Sequence, residues 1–554
     1  MGQTTTSATP RVVIIGLDAL TFDIIDPLMA EGLLPHLASV ARRGARGVLE
    51  SAWLPMSPPV WTTITTGKKP GSHGVFGFGV LRPGTYEIDT VNSRYARVPR
   101  VWDMINAHGL SAGVFNVPVT YPPQTLNGYL VGDILTPDVR RTFTYPEPLG
   151  AEIHRVAGGY RLWTSQVYSA ACQLPYLREL ADLVGMRIAV SEHLLRTQAT
   201  DFGMFVFMEA DWLQHKAWRL LTDPAQRGTQ EYRAARDVFV RLDEAVGRLM
   251  AAGGPQCNYL ILSDHGAGLH DRVFLLNKWL CDQGFLALAR TPRLVLKRFL
   301  ERHRALPRLY GLVSWLRRRI PWLGRFITVG MAGRTADFFS PYADVDWGRT
   351  RAYAREVQGQ IFVNLTGREP QGIVAEGPER EALVADLERR LTTIVDPRTG
   401  RPLVREIRRG GDLYRGPFAR EAPDLVMVLD DFRCTSANRF GFDVDGYFDE
   451  PEFSASGMHR RNGILMACGP AIAPGARLTG AGVADITPTV LRLMGLPVAA
   501  GLDGRPLEEM LTEEFRRANP LRQEAALPLE ARAGTEQEAS KEELKDKLRN
   551  LGYL

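Results

Sequence analysis

Six carboxylate and imidazole side chains in this sequence have the type and placement of metal ligands, since five follow apolar runs and the sixth, His459, precedes one. Oxygen and nitrogen donors without thiolates suit Zn²⁺ or another divalent ion in a catalytic site. Burying such groups unpaired would cost on the order of several kcal/mol. The alternative is that they form separate helix caps and salt bridges. The six residues are Asp18, Asp211, His215, Asp264, His265 and His459.

One serine has the surroundings of a nucleophile. Ser57 precedes the pair Pro58 and Pro59 at the predicted start of a helix, in a segment that ends at Gly67. Free backbone N–H groups and the helix dipole at such a position favour an anion such as phosphate. Because the segment contains several hydroxyls, Thr62 is the fallback nucleophile. The alternative is that Ser57 only caps the helix.

Short apolar, β-branched runs alternate with segments of helical period, and these elements must position the candidate ligands. Continuous apolar runs indicate strands buried on both faces, and apolar residues that repeat at three and four indicate helices covering a sheet. We therefore predict an α/β fold. The predicted strands are 12–16, 112–117, 203–208, 258–262, 424–429 and 464–468, and the predicted helices are 101–107, 232–251, 379–391 and 486–494.

The placement of the ligands on these elements predicts that they converge. Asp18 follows the first strand, and open α/β sheets bind ligands at the carboxyl ends of their strands. Asp211 and His215 are four residues apart, so they share one face if a helix starts there. Gly266 and Gly268 predict a tight turn around a bound ion. We expect the six ligands to lie close together around a bound divalent ion at this edge.

The composition is that of a globular protein, with 45% apolar and 23% charged residues and a net charge of +5 over 554 residues. Because this excess is small, we expect no specific nucleic-acid binding. The five cysteines are widely spaced, and no apolar run approaches the roughly 18 residues that span a bilayer. We expect a cytoplasmic protein with reduced thiols, or one held peripherally at the inner membrane face.

The positive charge is concentrated in the segment 290–326. This segment has eleven Lys and Arg residues against the single acid Glu301, which gives a local charge of about +10 and leaves about −5 for the rest of the chain. Apolar residues interleave with the bases, so we predict amphipathic helices broken near Pro307 and Pro321. The segment could form a lid, a packed helical hairpin, or a helix in contact with an anionic membrane.

The order of these motifs resembles the alkaline phosphatase superfamily and, within it, the prokaryotic branch of the type I phosphodiesterase/nucleotide pyrophosphatase family. In that family a Thr or Ser nucleophile stands nine residues before the Thr of a Thr-Gly pair, as Ser57 stands before Thr66. The likeness spans most of residues 11–510. The motifs that carry it are Gly16-Leu-Asp18, Ser57 to Gly67, Asp211 to His215, Ser263-Asp-His-Gly266 and Gly457-Met-His459.

The resemblance implies an alkaline-phosphatase-like sheet sandwiched between helices, and a role for each site residue. Ser57 would attack the substrate phosphorus. The cofactors would be two divalent ions, Zn²⁺ first, with Mn²⁺ or Mg²⁺ as alternatives. One ion would be bound by Asp211, His215 and His459, and the other by Asp18, Ser57, Asp264 and His265.

The implied function is a two-metal phosphoric ester hydrolase that works through a phosphoseryl intermediate and is closer to a phosphodiesterase or nucleotide pyrophosphatase than to a monoesterase. The expected substrate is a small phosphoester or a lipid phosphate. One alternative is a phosphotransferase or phosphomutase that keeps Ser57 and the metals. Another is a non-catalytic protein that binds anionic lipid or polymer. The oligomeric state stays open.

Departures from the family pattern bear on the substrate. Val60 and Phe78 stand where the family has Asn, one of which is thought to contact a phosphoryl oxygen, so the transition-state contacts must differ. Trp61 stands where sulfatases of the superfamily require Arg, so sulfatase chemistry loses most of its support. His73 does not match a ligand position and is predicted to be structural.

The sequence divides into three predicted parts. Residues 11–289 and 327–512 form a split α/β catalytic domain. Residues 290–326 form the basic amphipathic insertion, a lid or a membrane contact. Residues 513–554, rich in charged and small residues, form a flexible tail that ends in a short helix.

Overall fold

The strand Val12–Leu17 lies inside a nine-stranded sheet, between Phe202–Phe207 and Asn258–Leu262, and is parallel to both. The computed structural model describes residues 11–169, 171–303, 341–451, 455–528 and 544. The predicted α/β class is confirmed. From edge to edge the strands are Arg477–Gly482, Ala45–Glu50, Asn462–Cys468, Asn258–Leu262, Val12–Leu17, Phe202–Phe207, Ala112–Phe115, Gly128–Val131 and Thr144–Tyr145.

Helices cover the central sheet, and every residue of its three middle strands is buried. Because successive side chains point to opposite faces, complete burial requires cover on both faces. In the described part of the chain, no helix combines the length and the apolar character needed to cross a bilayer. The described helices are Phe22–Ala30, Pro35–Arg43, Ser57–Thr66, Pro70–His73, Val101–Ala107, Leu149–Ala157, Gln173–Thr197, Glu209–Thr222, Gln230–Gly253, Leu276–Asp282, Pro292–Arg302, Pro378–Leu391, Gly410–Leu413, Ile486–Leu493 and Glu513–Ala518.

A second sheet, of seven strands, has an apolar core of its own. The strand predicted at 424–429 belongs to this second sheet and not to the central one. The sequence could not show this, because an apolar run does not reveal which sheet a strand joins. Three two-stranded ribbons complete the strands: Gly266–Leu269 with Gly457–Arg460, Gly79–Leu81 with Ile88–Thr90, and Val498–Ala499 with Gln523–Glu524. The strands of the second sheet are Ala352–Ala354, Gln360–Val363, Val404–Arg409, Leu425–Leu429, Cys434–Ala437, Arg272–Leu275 and Phe448–Asp449.

The basic segment begins with the helix Pro292–Arg302. One side of the helix packs on the body, where Leu294 is buried and Lys297 Nζ donates to Asp344 Oδ2 at 2.8 Å. The remainder, 304–326, lies outside the described residues, together with both predicted proline breaks. Three apolar side chains of the helix are exposed: Val295, Leu296 and Phe299.

The segment predicted to start a flexible tail is structured at its beginning. Glu513–Ala518 is a helix, and Gln523–Glu524 pairs with Val498–Ala499. A capped helix and strand pairing thus satisfy much of the backbone of residues 513–524 in spite of the polar composition, and the flexible tail stays a prediction. Residues 529–554, except Leu544, lie outside the described residues. The division of the chain into three parts stays a prediction.

Candidate active site

Three neighbouring strands of the central sheet deliver carboxylates to one edge. Asp18 follows the strand Val12–Leu17, and Asp264 follows one of its neighbours. Asp211 lies in the first turn of the helix Glu209–Thr222, which starts after the other neighbour. Because the three strands are parallel, their carboxyl ends meet at the same edge, as open α/β sheets require of a ligand site.

His459 reaches this edge from a distant part of the chain through a two-stranded ribbon. The strand Gly457–Arg460 pairs antiparallel with Gly266–Leu269. The tight turn predicted at Gly266 and Gly268 is therefore wrong, since both residues lie in a strand. Gly266 instead permits close packing: a Cβ atom there would lie 2.2 Å from a backbone carbonyl oxygen of a neighbouring strand.

Asp211, His215 and His459 form one buried group, in which one ligand atom of each lies within 4.8 Å of the others. Asp211 Oδ1 is 3.3 Å from Nε2 of both His215 and His459. The two Nε2 atoms are 2.8 Å apart. Asp211 and His215 meet because residues four apart share a helix face.

Asp18, Asp264 and His265 form a second buried group of the same dimensions. His265 Nε2 is 3.3 Å from Asp264 Oδ2 and 3.7 Å from Asp18 Oδ1. Ser57 Oγ lies 3.2 Å from the same nitrogen. The groups touch, since the rings of His265 and His459 stack at 3.8 Å between centroids. The seven residues thus lie together and fall into the two groups that the resemblance implies. Metal binding by these groups stays a prediction.

Each site histidine turns Nε2 inward because its Nδ1 faces a backbone carbonyl. A carbonyl oxygen only accepts, so Nδ1 carries the proton and Nε2 keeps a lone pair. Hydrogen bonds of this kind orient metal-binding histidines. The Nδ1 partners are Gly457 O at 3.0 Å for His215, Gly266 O at 3.0 Å for His265, and Pro55 O at 2.5 Å for His459.

The electrostatics of the two groups are those of crowded, desolvated charges. Burial, and then the charges of Asp264 and Asp211, raise the pKa of Asp18 well above its usual range. Burial and Asp211 likewise raise the pKa of Asp264. Although burial opposes ionisation of Asp211, the adjacent His215 and His459 lower its pKa well below the usual range. Burial, and then His459, lower the pKa of His265.

The chemistry of the donors fits divalent cations. Asp18 Oδ1 and Asp264 Oδ2 are buried and accept no hydrogen bond from any described residue. The carboxylate oxygens and imidazole lone pairs of each group point toward one another and repel. A cation at the centre of each group would instead attract all of them. The donors are oxygen and nitrogen atoms only, a set that suits Zn²⁺, Mn²⁺ or Mg²⁺ in a catalytic site.

Ser57 is the first residue of the helix Ser57–Thr66, and Met56 is the N-cap. The alternative that Ser57 only caps this helix is therefore wrong. The helix start also offers fewer free N–H groups than expected, because Pro58 and Pro59 have none and the N–H of the following residue donates to Met56 O at 3.1 Å. An anion at Ser57 must therefore be held mainly by other groups.

The fallback nucleophile and His73 are engaged away from the two groups. Thr62 Oγ1 donates to Pro58 O, one turn back in the same helix, at 2.7 Å. His73 Nε2 lies 3.1 Å from Thr63 Oγ1, and His73 Nδ1 accepts from the N–H of Val75 at 3.1 Å. His73 thus joins the helix of Ser57 to the following loop, which agrees with the predicted structural role.

Two residues that contact the site are not among those predicted from the sequence, and a third titratable residue lies near them. Trp61 Nε1 donates to Asp18 Oδ2 at 2.6 Å, and its position four residues after Ser57 could have indicated a shared helix face. Gln358 Nε2 lies 3.3 Å from His459 Nδ1, but no spacing signals it. His270 is buried, with Nε2 3.0 Å from Thr435 Oγ1. Burial, and then nearby His215, lower the pKa of His270 to about 3.

Comparison with solved structures supports the fold. Human ectonucleotide pyrophosphatase/phosphodiesterase 5 is 12% identical with a TM-score of 0.51, over 91% of this chain and 100% of that one. Phosphonoacetate hydrolase from Sinorhizobium meliloti, solved with phosphonoacetate, is 15% identical with a TM-score of 0.50, over 87% and 95%. At such identities the likeness concerns the fold alone. No curated protein matches the chain significantly.

Comparison with family models supports the kind of enzyme. The model for type I phosphodiesterase/nucleotide pyrophosphatase matches residues 12–431, which contain every residue of the two groups except His459. This residue lies beyond the match and reaches the others on the ribbon strand Gly457–Arg460. The chain therefore belongs to the type I phosphodiesterase/nucleotide pyrophosphatase family, a family of metal-dependent phosphoester hydrolases.

Proposed function

We propose that this enzyme hydrolyses phosphodiesters in preference to phosphomonoesters, through Ser57 and two divalent ions. The observation that carries the proposal is the position of Ser57 Oγ, 3.2 Å from His265 Nε2, beside two touching groups of buried ligand atoms. A serine hydroxyl is a weak nucleophile unless a base or a cation activates it. The arrangement supports activation of Ser57 by the ion that Asp18, Asp264 and His265 would hold.

The reaction would proceed in two displacements at phosphorus. Bound divalent ions would stabilise the Ser57 alkoxide and the charge that develops on the leaving oxygen. Ser57 Oγ loses its proton to solvent, attacks phosphorus and forms a phosphoseryl ester, while the alcohol of the substrate leaves. Water then attacks the phosphorus of this ester, the bond to Ser57 Oγ breaks, a phosphomonoester is released and Ser57 Oγ regains a proton from solvent. Trp61 holds Asp18 in place throughout, through its 2.6 Å hydrogen bond.

The proposed metal is Zn²⁺ at both positions, with Mn²⁺ or Mg²⁺ as alternatives. One group offers two imidazoles and one carboxylate, and the other offers one imidazole and two carboxylates. Imidazole ligands favour zinc over magnesium. Elemental analysis of the purified enzyme measures identity and number together. We expect two equivalents, and one equivalent would contradict the two-metal proposal.

The proposed substrate is a small phosphoester or a lipid phosphate. Val60 and Phe78 are buried and apolar, so the positions at which the family resemblance implies Asn offer no side-chain donor to a phosphoryl oxygen. The substrate therefore depends more on the metal ions for binding of its phosphoryl group. A cytoplasmic location, with peripheral contact at the inner membrane face, is part of the same proposal.

A panel of aryl phosphodiesters, aryl phosphomonoesters, nucleotides and sulfate esters, each assayed with Zn²⁺, Mn²⁺ and Mg²⁺, tests the reaction class. We expect the highest kcat/KM for a diester. Added alcohols distinguish hydrolysis from transfer: a phosphorylated alcohol as the main product would favour the phosphotransferase alternative. Full metal content without turnover of any ester would favour the non-catalytic alternative.

Ser57→Ala tests the nucleophile. We expect turnover to fall by about a thousandfold or more with metal content nearly unchanged, because the other six ligands remain. Thr62→Val is the matched control, since it also removes a buried hydroxyl of the same helix, and it should keep most of the activity. Labelled phosphate trapped on Thr62 instead of Ser57 would contradict the assignment.

A further inference from the structure

A cavity of about 220 Å³ lies outside the two ligand groups. Most of its wall comes from residues 74–85, which follow the helix of Ser57, and from residues 355–370, which include a strand of the second sheet; Val91, Tyr95 and Glu421 complete it. This volume is several times that of one water molecule, roughly 30 Å³, so the cavity can admit a small organic molecule. Three aromatic side chains line it: Phe76, Tyr95 and Phe362.

Arg355 gives this cavity an unbalanced positive charge. The residue is 9% exposed, and its guanidinium carbon lies 3.9 Å from the centroid of the Phe362 ring. Among the described residues, nothing forms a hydrogen bond or an ion pair with its side chain, and Nε is a buried donor without an acceptor. A buried guanidinium without a counter-ion is costly, so its presence at a cavity wall points to an anionic ligand.

The other ionic side chains at the wall are neutralised locally. Each forms an ion pair of 3.0 Å or less with a partner of opposite charge, so none is available to neutralise Arg355. The pairs are Arg368 with Glu369 and Asp424, Glu421 with Arg97, and Arg82 with Asp89.

The neighbouring acid Glu356 does not take the role of counter-ion. Its Oε1 accepts the N–H of Gly79 at 2.9 Å, and it forms no ion pair with Arg355. Burial raises the pKa of Glu356 to about 7 even though the charge of Arg355 opposes the shift. Among the described wall residues, Arg355 is therefore the cation that no ion pair neutralises, and it lies beside flat apolar walls.

We propose that this cavity binds an organic anion, with one singly charged oxyanion on Arg355 and a flat apolar body against Phe76, Tyr95 and Phe362. A planar guanidinium binds a carboxylate or a phosphodiester monoanion through two parallel hydrogen bonds. The single unbalanced charge favours a singly charged group over a dianion. The inference does not depend on the chemistry proposed for Ser57, since no residue of the two ligand groups lines the cavity.

Titration calorimetry with benzoate, diphenyl phosphate and benzamide tests the proposal on the full-length, metal-loaded enzyme. Benzoate and diphenyl phosphate supply the two oxyanions on aromatic bodies, and benzamide is the uncharged match of benzoate. We expect at least one of the anions to bind and benzamide not to bind. Arg355→Gln should weaken the binding by about tenfold or more, because a charge-assisted, two-point contact is lost. Arg46→Gln is the matched control: Arg46 also lies over an aromatic ring, at 4.1 Å, but does not line this cavity.

A second pair of variants keeps the test decisive if Arg355→Gln fails to fold. Thr85 lines the cavity from the loop between the paired strands Gly79–Leu81 and Ile88–Thr90, and it is partly exposed. Thr85→Glu should weaken binding of the anion several-fold by repulsion, whereas Thr85→Gln should not. The proposal is overturned if neither anion binds the wild-type enzyme, if benzamide binds as well as benzoate, or if the anion binds all of these variants equally.

Discussion

A single hydrogen bond decides which oxygen of Asp18 faces the candidate metal site. Trp61 Nε1 donates to Oδ2, and no described residue donates a hydrogen bond to Oδ1, which lies beside His265. Trp61 can lie this close only because Gly16 has no side chain, since a Cβ atom there would lie 2.5 Å from the indole ring. The glycine two residues before the ligand thus has a steric role in shaping the site.

The charge state of His73, which contacts the helix of Ser57, makes the stability of the protein depend on pH. Burial, and then the charge of Arg100, lower the pKa of His73 to about 3, against 6.5 in an unfolded chain. Between these values the unfolded chain binds a proton that the folded chain does not. The stability contributed by neutral His73 is therefore present above about pH 6.5 and is lost as pH falls toward about 3.

We expect His73→Gln to flatten the acid side of the stability profile. The free energy of unfolding should fall less steeply than in the wild type between about pH 6 and pH 4, by about 1.4 kcal/mol per pH unit, because one linked proton is removed. Urea denaturation followed by circular dichroism at several pH values measures the slope. His303→Gln, at an exposed position, should keep the wild-type slope. Parallel profiles for His73→Gln and the wild type would contradict the linkage.

The helix Pro292–Arg302 has two sides with different surroundings. Its inner side is held by Leu294 and by the ion pair of Lys297 with Asp344. Its outer side leaves Val295 69% exposed and Phe299 59% exposed, among bases of the same helix. Exposed apolar side chains among basic ones are typical of helices that lie in an anionic membrane interface. Membrane contact is therefore our proposal for this element.

We expect the enzyme to float with anionic vesicles at low salt and to be released at high salt. Phe299→Ser should remove most of this binding, because insertion of the apolar side chain makes attachment last. Vesicle flotation with anionic and with neutral lipid measures both effects. Val167→Ser is the matched control, since Val167 is 54% exposed elsewhere on the surface. Absence of binding to anionic vesicles at low salt would exclude membrane contact and favour a packed or lid-forming segment.

Across the whole molecule, the candidate site joins parts of the chain that are distant in sequence. Asp18 and His459 are among its residues, and the groups that contain them touch. Ions bound there would stabilise the folded state only, because the unfolded chain does not hold the ligands together. Ligand at a hundred times its dissociation constant adds about 2.7 kcal/mol to the free energy of unfolding.

We expect a chelator to lower the melting temperature, and to lower it more as pH rises. The raised pKa values of Asp18 and Asp264 mean that their contribution to metal-free stability is complete below about pH 3.8 and is lost as pH rises through the folded values. Metal binding requires the same carboxylates to be ionised. The stabilisation that bound metal provides is therefore larger at high pH than at low pH. Differential scanning fluorimetry with and without chelator, from about pH 5 to about pH 8, measures the difference.

Asp264→Asn provides the diagnostic variant for this prediction. It should lose most of the metal-dependent stabilisation while its metal-free form melts no lower than the wild type, because one repelling carboxylate is gone. Asp133→Asn is the matched control, since Asp133 is equally buried and burial raises its pKa to about 7, but it belongs to neither ligand group. A chelator effect that is independent of pH, or equal in both variants, would contradict the coupling.

Much of the site could be predicted because it depends on local signals. Asp18 and Asp264 stand within two residues of the ends of apolar strands, and Asp211 and His215 are spaced by one helical turn. The role of Gly266 could not be predicted because it depends on a residue that is distant in sequence. Its local signal indicates a turn, but a backbone carbonyl that packs against it requires a glycine within a strand. Sequence spacing does not record what packs against a residue from elsewhere in the chain.

The sequence by itself determined the α/β class, the helix of Ser57 and the chemical types of the ligands, since hydrophobic period and side-chain chemistry are local properties. Only the tertiary structure decided that His459 lies against His265, that Trp61 orients Asp18, and that Arg355 lines a cavity where no described residue forms an ion pair with it. The physical reason is that contact, desolvation and charge balance depend on which residues share a volume. That sharing is set by the packing of the whole chain.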